Sequence, residues 1–224
     1  ALYAVKSLLD QGLVFTKRIR FIFGTDEETL WRCMNRYNQL EEKADLGFAP
    51  DSSFPLTYAE KGLLQVKLHG PGWEDRPLQA GRALNVVPDK ATYKGERLEE
   101  LLPVIEQSGV NYTEEAGAVT ILGLSKHSKD AAEGVNAIVG LAESLSLIQP
   151  HPALLFIADA VGEDATGAAL FGEIKDEPSG ALSFNIATLS IDEERSEIGI
   201  DIRIPVLADK DALVERLTEV AASY

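Results

Sequence analysis

Isoleucine recurs at every second position from Ile198 through Ile200 and Ile202 to Ile204. A period of two puts all four side chains on one face of a strand, which commits this stretch to a sheet with one apolar side. Leu182, Phe184 and Ile186 repeat the pattern, and Leu64, Val66 and Leu68 alternate with Gln65 and Lys67. Further strands are read near Val86 to Tyr93 and Gly117 to Leu124, separated from β-type Leu64–Leu68 by an irregular, Gly/Pro-rich stretch from Gly70 to Arg82. Helical spacing marks Leu98, Leu101, Leu102 and Ile105. It returns from Glu133 to Leu147 (Val135, Ile138, Val139, Ala142, Leu145) and from about Asp209 to Ala222 (Leu213, Leu217, Val220). Helices on one face of an antiparallel sheet give an α+β two-layer domain, ferredoxin-like in outline, over residues 61–224.

The first sixty residues have another character. Leu2, Val5, Leu8 and Leu9 have helical spacing that Gly12 ends; Val14 to Phe23 reads as a strand buried on both faces; Glu28 to Glu42 reads as a helix. Phe48-Ala49-Pro50-Asp51 breaks the pattern, because proline forces an extended approach. This is the strand–helix series of an α/β domain, and the boundary is placed near residue 60. The chain shows no internal repeat and no low-complexity segment.

The 224 residues carry 36 acidic and 21 basic side chains, a net charge of −15. Such a surface repels nucleic acid and anionic membranes, and favours small-molecule, peptide or metal chemistry. No apolar run is long enough for a transmembrane helix. The single Cys33 excludes an internal disulfide, and its helical setting reads as an inert buried thiol. A cytoplasmic protein is expected.

Chemistry concentrates at Gly24-Thr25-Asp26-Glu27-Glu28-Thr29, directly after the apolar run that ends at Phe23. Adjacent carboxylates raise each other's pKa. Beside a metal, one can bind the ion while the other takes a proton from a bound water. Asp51 offers a further ligand. The competing reading is an acid-rich helix N-terminus with Thr25 or Asp26 as its cap. Of the three histidines, His151 sits in a Pro-flanked turn and is expected in solvent. His69 is expected at a sheet edge, and His127 lies at a strand–helix junction, poised equally between ligand contact and an exposed loop. Arg203 shares the face opposite the isoleucines with Asp201, as a surface ion pair or as a bidentate grip on a substrate carboxylate. Asn85 is either a turn residue or a polar contact to a ligand.

The segments from Phe21 to Thr29, Phe48-Ala49-Pro50-Asp51-Ser52-Ser53-Phe54-Pro55 and Ala59-Glu60-Lys61-Gly62 together resemble the PepV-type dipeptidases. These belong to the two-metal, aminoacylase-like metallopeptidase family that includes carnosinases. Gly81 to Asp89, His127 with Glu133-Gly134-Val135-Asn136-Ala137-Ile138, and Asp201-Ile202-Arg203-Ile204-Pro205 extend the likeness along the whole chain. It implies an α/β catalytic-domain remnant over 1–60 and a lid domain over 61–224. It implies a dipeptidase using two zinc ions, with manganese or cobalt as alternatives, on short peptides with a free C-terminal carboxylate. Glu27 matches the general base, and Glu28 and Asp51 match one ligand for each ion. His127 matches the residue that steadies the oxyanion, Arg203 the clamp on the substrate carboxylate, and Asn85 a further substrate contact.

The family's early His, its bridging Asp in an Asp-Asp-Lys-Gly segment and its late His have no counterpart here. The chain therefore holds two of roughly five expected protein ligands. With a first segment that reads as mid-helix and no initiator Met, it is expected to be an internal piece of a monomeric enzyme, inactive alone. The alternative expectation is a non-catalytic peptide-binding or structural module derived from the lid.

Overall fold

The computed structural model describes residues 1–26, 31–51 and 56–224, which form two compact units, Ala1–Thr57 and Tyr58–Tyr224. In the first unit, α1 spans Leu2–Asp10 and α2 spans Arg32–Leu40. The helix expected over 28–42 therefore begins, within the described residues, at Arg32. Trp31 before it has φ 54°, in the left-handed region, and does not continue α2 upstream. Asp26 acts as its cap: Oδ1 accepts the Cys33 N–H at 3.0 Å, and Oδ2 accepts the Arg32 N–H at 3.1 Å. Bonds from Cys33 and Arg32 hold the Asp26 carboxyl well below the usual range. Cys33 itself is part-buried rather than buried.

The expected strand from Val14 to Phe23 is not formed. A strand is defined by its ladder, and none of the described residues pairs with this stretch. Its apolar side chains are correspondingly exposed, Val14 at 83% and Phe23 at 74%.

The second unit runs β1 (Gly62–Pro71), β2 (Leu78–Ala80), β3 (Lys90–Tyr93), α3 (Leu98–Ser108), β4 (Tyr112–Glu115) and β5 (Ala118–Leu122). A 3-10 turn, Ser128–Glu133, leads to α4 (Ala137–Ser146) and α5 (Pro152–Leu155). A π turn at Phe156–Val161 and α6 (Ala168–Phe171) follow. The chain closes with β6 (Lys175–Asp176), β7 (Gly180–Ala181), β8 (Ser183–Ile191), β9 (Arg195–Ile204) and α7 (Lys210–Ala221). The main sheet has the order β1-β9-β8-β2 and is antiparallel throughout; β3-β5-β4 form a second antiparallel sheet.

Local chemistry explains these boundaries. Asn136 caps α4 by accepting from the Ile138 and Val139 N–H groups, so α4 starts at Ala137, four residues later than the apolar periodicity suggests. Asp209 caps α7 in the same way. Ala116 and Gly117, both at positive φ (49° and 72°), make the two-residue hairpin between β4 and β5 that brings in a strand the periodicity does not mark. Val86 and Val87 fall outside β3; Val86 instead makes an isolated antiparallel bridge with His127.

Ile198, Ile200, Ile202 and Ile204 all point into one core with Phe184, Ile186, Leu189 and Ile191 from β8, Leu141 and Leu145 from α4, and Leu213 and Leu217 from α7. The β8–β9 ladder slips at Ile186/Thr188, leaving Ala187 unpaired. Before this bulge the even residues of β8 face the core; after it the odd ones do. The carbonyl of Ala187 lies against Gly81, where φ is +76° and a Cβ would collide with it. Among the described residues no helix is long and apolar enough to cross a membrane.

Candidate functional site

The face of the main sheet opposite the isoleucines is polar, and register sets its rows. Leu63, Arg203 and Ser183 lie side by side on β1, β9 and β8; Gln65, Asp201 and Asn185 form the next row; Lys67, Gly199 and Thr188 the one after. Gly199 leaves room there for the side chains of Leu84 and Thr188. Two loop segments, 84–87 and 126–128, thus lie over this face and are tied to each other. Val87 N–H donates to the Lys126 carbonyl at 2.8 Å, and Ser128 N–H donates to the Asn85 carbonyl at 2.9 Å. These two bonds close the Val86–His127 bridge, with Asn85 adjoining it.

A buried polar network fixes those loops to the sheet. The Asn185 amide donates to the Val86 carbonyl at 3.0 Å and to Ser128 Oγ at 2.9 Å, while its Oδ1 accepts from Asn136 Nδ2 at 3.1 Å. Ser128 Oγ donates to the Leu84 carbonyl at 3.0 Å, and Ser183 Oγ donates to the Ser128 carbonyl. Ser128, Asn185 and Ser183 are all buried, at 0, 2 and 5% exposure. Every polar group in this cluster has a partner, which is the condition for a buried network to rigidify a site. Sequence reasoning missed these residues because their function is to hold others; the one available signal was polar side chains on an otherwise apolar strand.

His127 is exposed, and its Nδ1 accepts the Lys129 N–H at 3.2 Å. In the neutral ring the proton therefore resides on Nε2. Arg203 donates from Nε to Asp201 Oδ1 at 2.7 Å and from Nη2 to Asp201 Oδ2 at 3.4 Å. Asp201 is fully buried, so this is not the surface pair that adjacency suggests. The Arg203–Ser183 register and the Ser183–Ser128 bond link the Arg203 row of the sheet to the loop segments that carry Asn85 and His127.

The remaining sequence candidates are placed differently. Glu27 and Glu28 lie outside the described residues. Asp51 belongs to the first unit and is exposed. No group of three His, Cys, Asp or Glu side chains that could hold a metal occurs among the described residues. His69, at the end of edge strand β1, is exposed opposite Glu197. His151 departs from its expected solvation: it is 5% exposed and packs edge-on against Trp73 at 5.7 Å. A cavity of about 350 Å³ is lined by Val87, Val135, Asn136, Val139, Phe184 and Asn185 among others, and by none of Asn85, His127 or Arg203.

No family model matches the chain. It is 35% identical, across 95% of its length, to the Bacillus subtilis (strain 168) protein named "Putative dipeptidase YtjP". It is 31% identical across its full length to "Putative dipeptidase MW1694" of Staphylococcus aureus (strain MW2), and 28% identical to "Putative dipeptidase SH1171" of Staphylococcus haemolyticus (strain JCSC1435). The chain spans about half the length of these curated relatives, 51 to 53%.

Proposed function

We propose that this chain is a segment of a PepV-type dipeptidase of the cytoplasm, monomeric when whole, hydrolysing short peptides that end in a free carboxylate. The observation that carries this reading is the 35% identity, across 95% of the chain, to the protein named "Putative dipeptidase YtjP". The linkage of the segments that carry Asn85 and His127 to the sheet row of Arg203 supports it, because these are side chains suited to a peptide's carbonyl and carboxylate.

Each residue has a definite task in this reading. Arg203 grips the C-terminal carboxylate, for which a planar guanidinium is better suited than an ammonium. His127 donates its Nε2–H to the oxyanion that develops on the scissile carbonyl. Asn85, on the neighbouring strand of the bridge, contacts the substrate backbone. Glu27 takes the proton of the attacking water. Glu28 and Asp51 would hold zinc, or manganese or cobalt, which would supply a bound water with a pKa of about 7.

The test is Glu27→Ala in the full natural protein. Turnover of dipeptides should fall by about a thousand-fold, the middle of the range a general base contributes, while metal content by atomic emission stays near normal. Loss of the metal would instead make Glu27 a ligand. A wild-type protein that binds dipeptides without cleaving them would leave the peptide-binding module as the answer.

A further inference from the structure

Asp201 is a carboxylate with 0% exposure in the middle of the central strand β9. Burying a charge there is costly, and an apolar side chain of similar size often serves stability as well or better. Its environment is nevertheless built around it. Gln65 Nε2 donates to Oδ2 at 2.9 Å from β1, and Arg203 Nε donates to Oδ1 at 2.7 Å from two residues further along β9. Arg203 Nη2 adds a longer contact at 3.4 Å.

The geometry of the fork decides what this achieves. A guanidinium has two edges that can receive a carboxylate: the side edge, Nε with one Nη, and the end edge, formed by both Nη atoms. Asp201 takes the side edge. Among the described residues the end edge has no second acceptor, and the Arg203 side chain retains 18% exposure. The side chain is thereby held by its side edge while part of it still meets solvent.

We propose that Asp201 is a positioning residue for substrate specificity: it holds Arg203 so that the end of its guanidinium reads the C-terminal carboxylate of a peptide. This rests on the dipeptidase reading above, and on Arg203 being its carboxylate clamp. Two effects of Asp201 oppose each other. Its charge partly cancels that of Arg203, which weakens carboxylate binding; its hydrogen bonds remove the rotamer freedom of a long side chain, which strengthens it. The inference is that orientation wins.

The experiment compares hydrolysis of one dipeptide with that of its C-terminal amide, in the full natural protein, for wild type, Arg203→Ala, Asp201→Asn and Gln65→Leu. Wild type should prefer the free acid, and Arg203→Ala should abolish that preference. Asp201→Asn keeps the side-chain volume. It should lower the acid-to-amide ratio of kcat/KM by about ten-fold, the scale of one charge-assisted hydrogen bond, through KM for the acid with kcat little changed. Gln65→Leu should lower it less, in the same direction, and decides the matter if Asp201→Asn does not fold by circular dichroism. An unchanged or increased ratio in the folded Asp201 variant, while Arg203→Ala loses the preference, overturns the role of Asp201 alone. A preference that survives Arg203→Ala overturns the clamp itself, and wild-type protein that cleaves neither substrate overturns the dipeptidase reading; the inference falls with either.

Discussion

His151 shows how far one side chain can depart from its local sequence. Flanking prolines mark a turn, and turns are usually wet. The fold instead draws the ring inward, where Nδ1 accepts the Ala153 N–H at 3.2 Å to cap α5 and Nε2 meets the Pro71 carbonyl at 3.1 Å. Only the neutral ring with its proton on Nε2 satisfies both contacts. Burial pushes its pKa below the ordinary value. The folded state therefore takes up this proton less readily than the unfolded chain. Its contribution to stability is complete above the unfolded pKa of about 6.5 and is lost as pH falls toward the folded value. Thermal melts should thus show stability declining below about pH 6.5, with a slope from this group of up to about 1.4 kcal/mol per pH unit. His151→Asn, which keeps a capping oxygen, should flatten that part of the profile. None of this was legible in the sequence, since the partner that buries His151 lies at Pro71, eighty residues away.

At the scale of elements, the sequence was most informative where one face is apolar and the period is clean. The isoleucines of β9, the Leu64–Leu68 alternation of β1 and the leucines of α3 and α7 all fall on elements of the expected type. Short pieces whose form depends on distant partners were invisible: β2, β4, β6 and β7 are too short for a period to emerge. Val14 to Phe23 had the composition of a strand and lacks the ladder that makes one. The same division applies to the candidate site. Asn85, His127 and Arg203 could be singled out by motif, whereas the Asn185–Ser128–Ser183 cluster beneath them arises only when β8 meets two loops. Its effect can be measured. Asn185→Ala leaves the Val86 carbonyl, Ser128 Oγ and Asn136 Nδ2 short of partners, and should cost about 3 kcal/mol on the scale of unsatisfied buried groups. Denaturant unfolding reads that loss. Amide exchange should accelerate most at Val87 and Ser128, whose N–H groups close the bridge.

At the scale of the whole molecule, the two units differ in how they are held. The hydrophobic core runs from Trp73 to Leu217 and lies entirely within the second unit. Among the described residues of the first unit none is buried, and its helices are nine residues each, short of the length at which helices persist unaided. A chain beginning at Tyr58 should therefore melt cooperatively, within a few degrees of the 224-residue chain, when followed by circular dichroism. A much lower or non-cooperative transition would show that the first unit contributes to the core's stability. The slip at Ala187 has a consequence for how this architecture can change over time. Because Ala187 is the one residue of β8 at the slip with no partner on β9, its loss would close the ladder into plain alternation, with Thr188 and Ser190 still outward and Leu189 and Ile191 still inward. Descendants of this fold can thus shed that one residue without turning any other side chain of β8 over, and would lose with it the carbonyl that lies against Gly81.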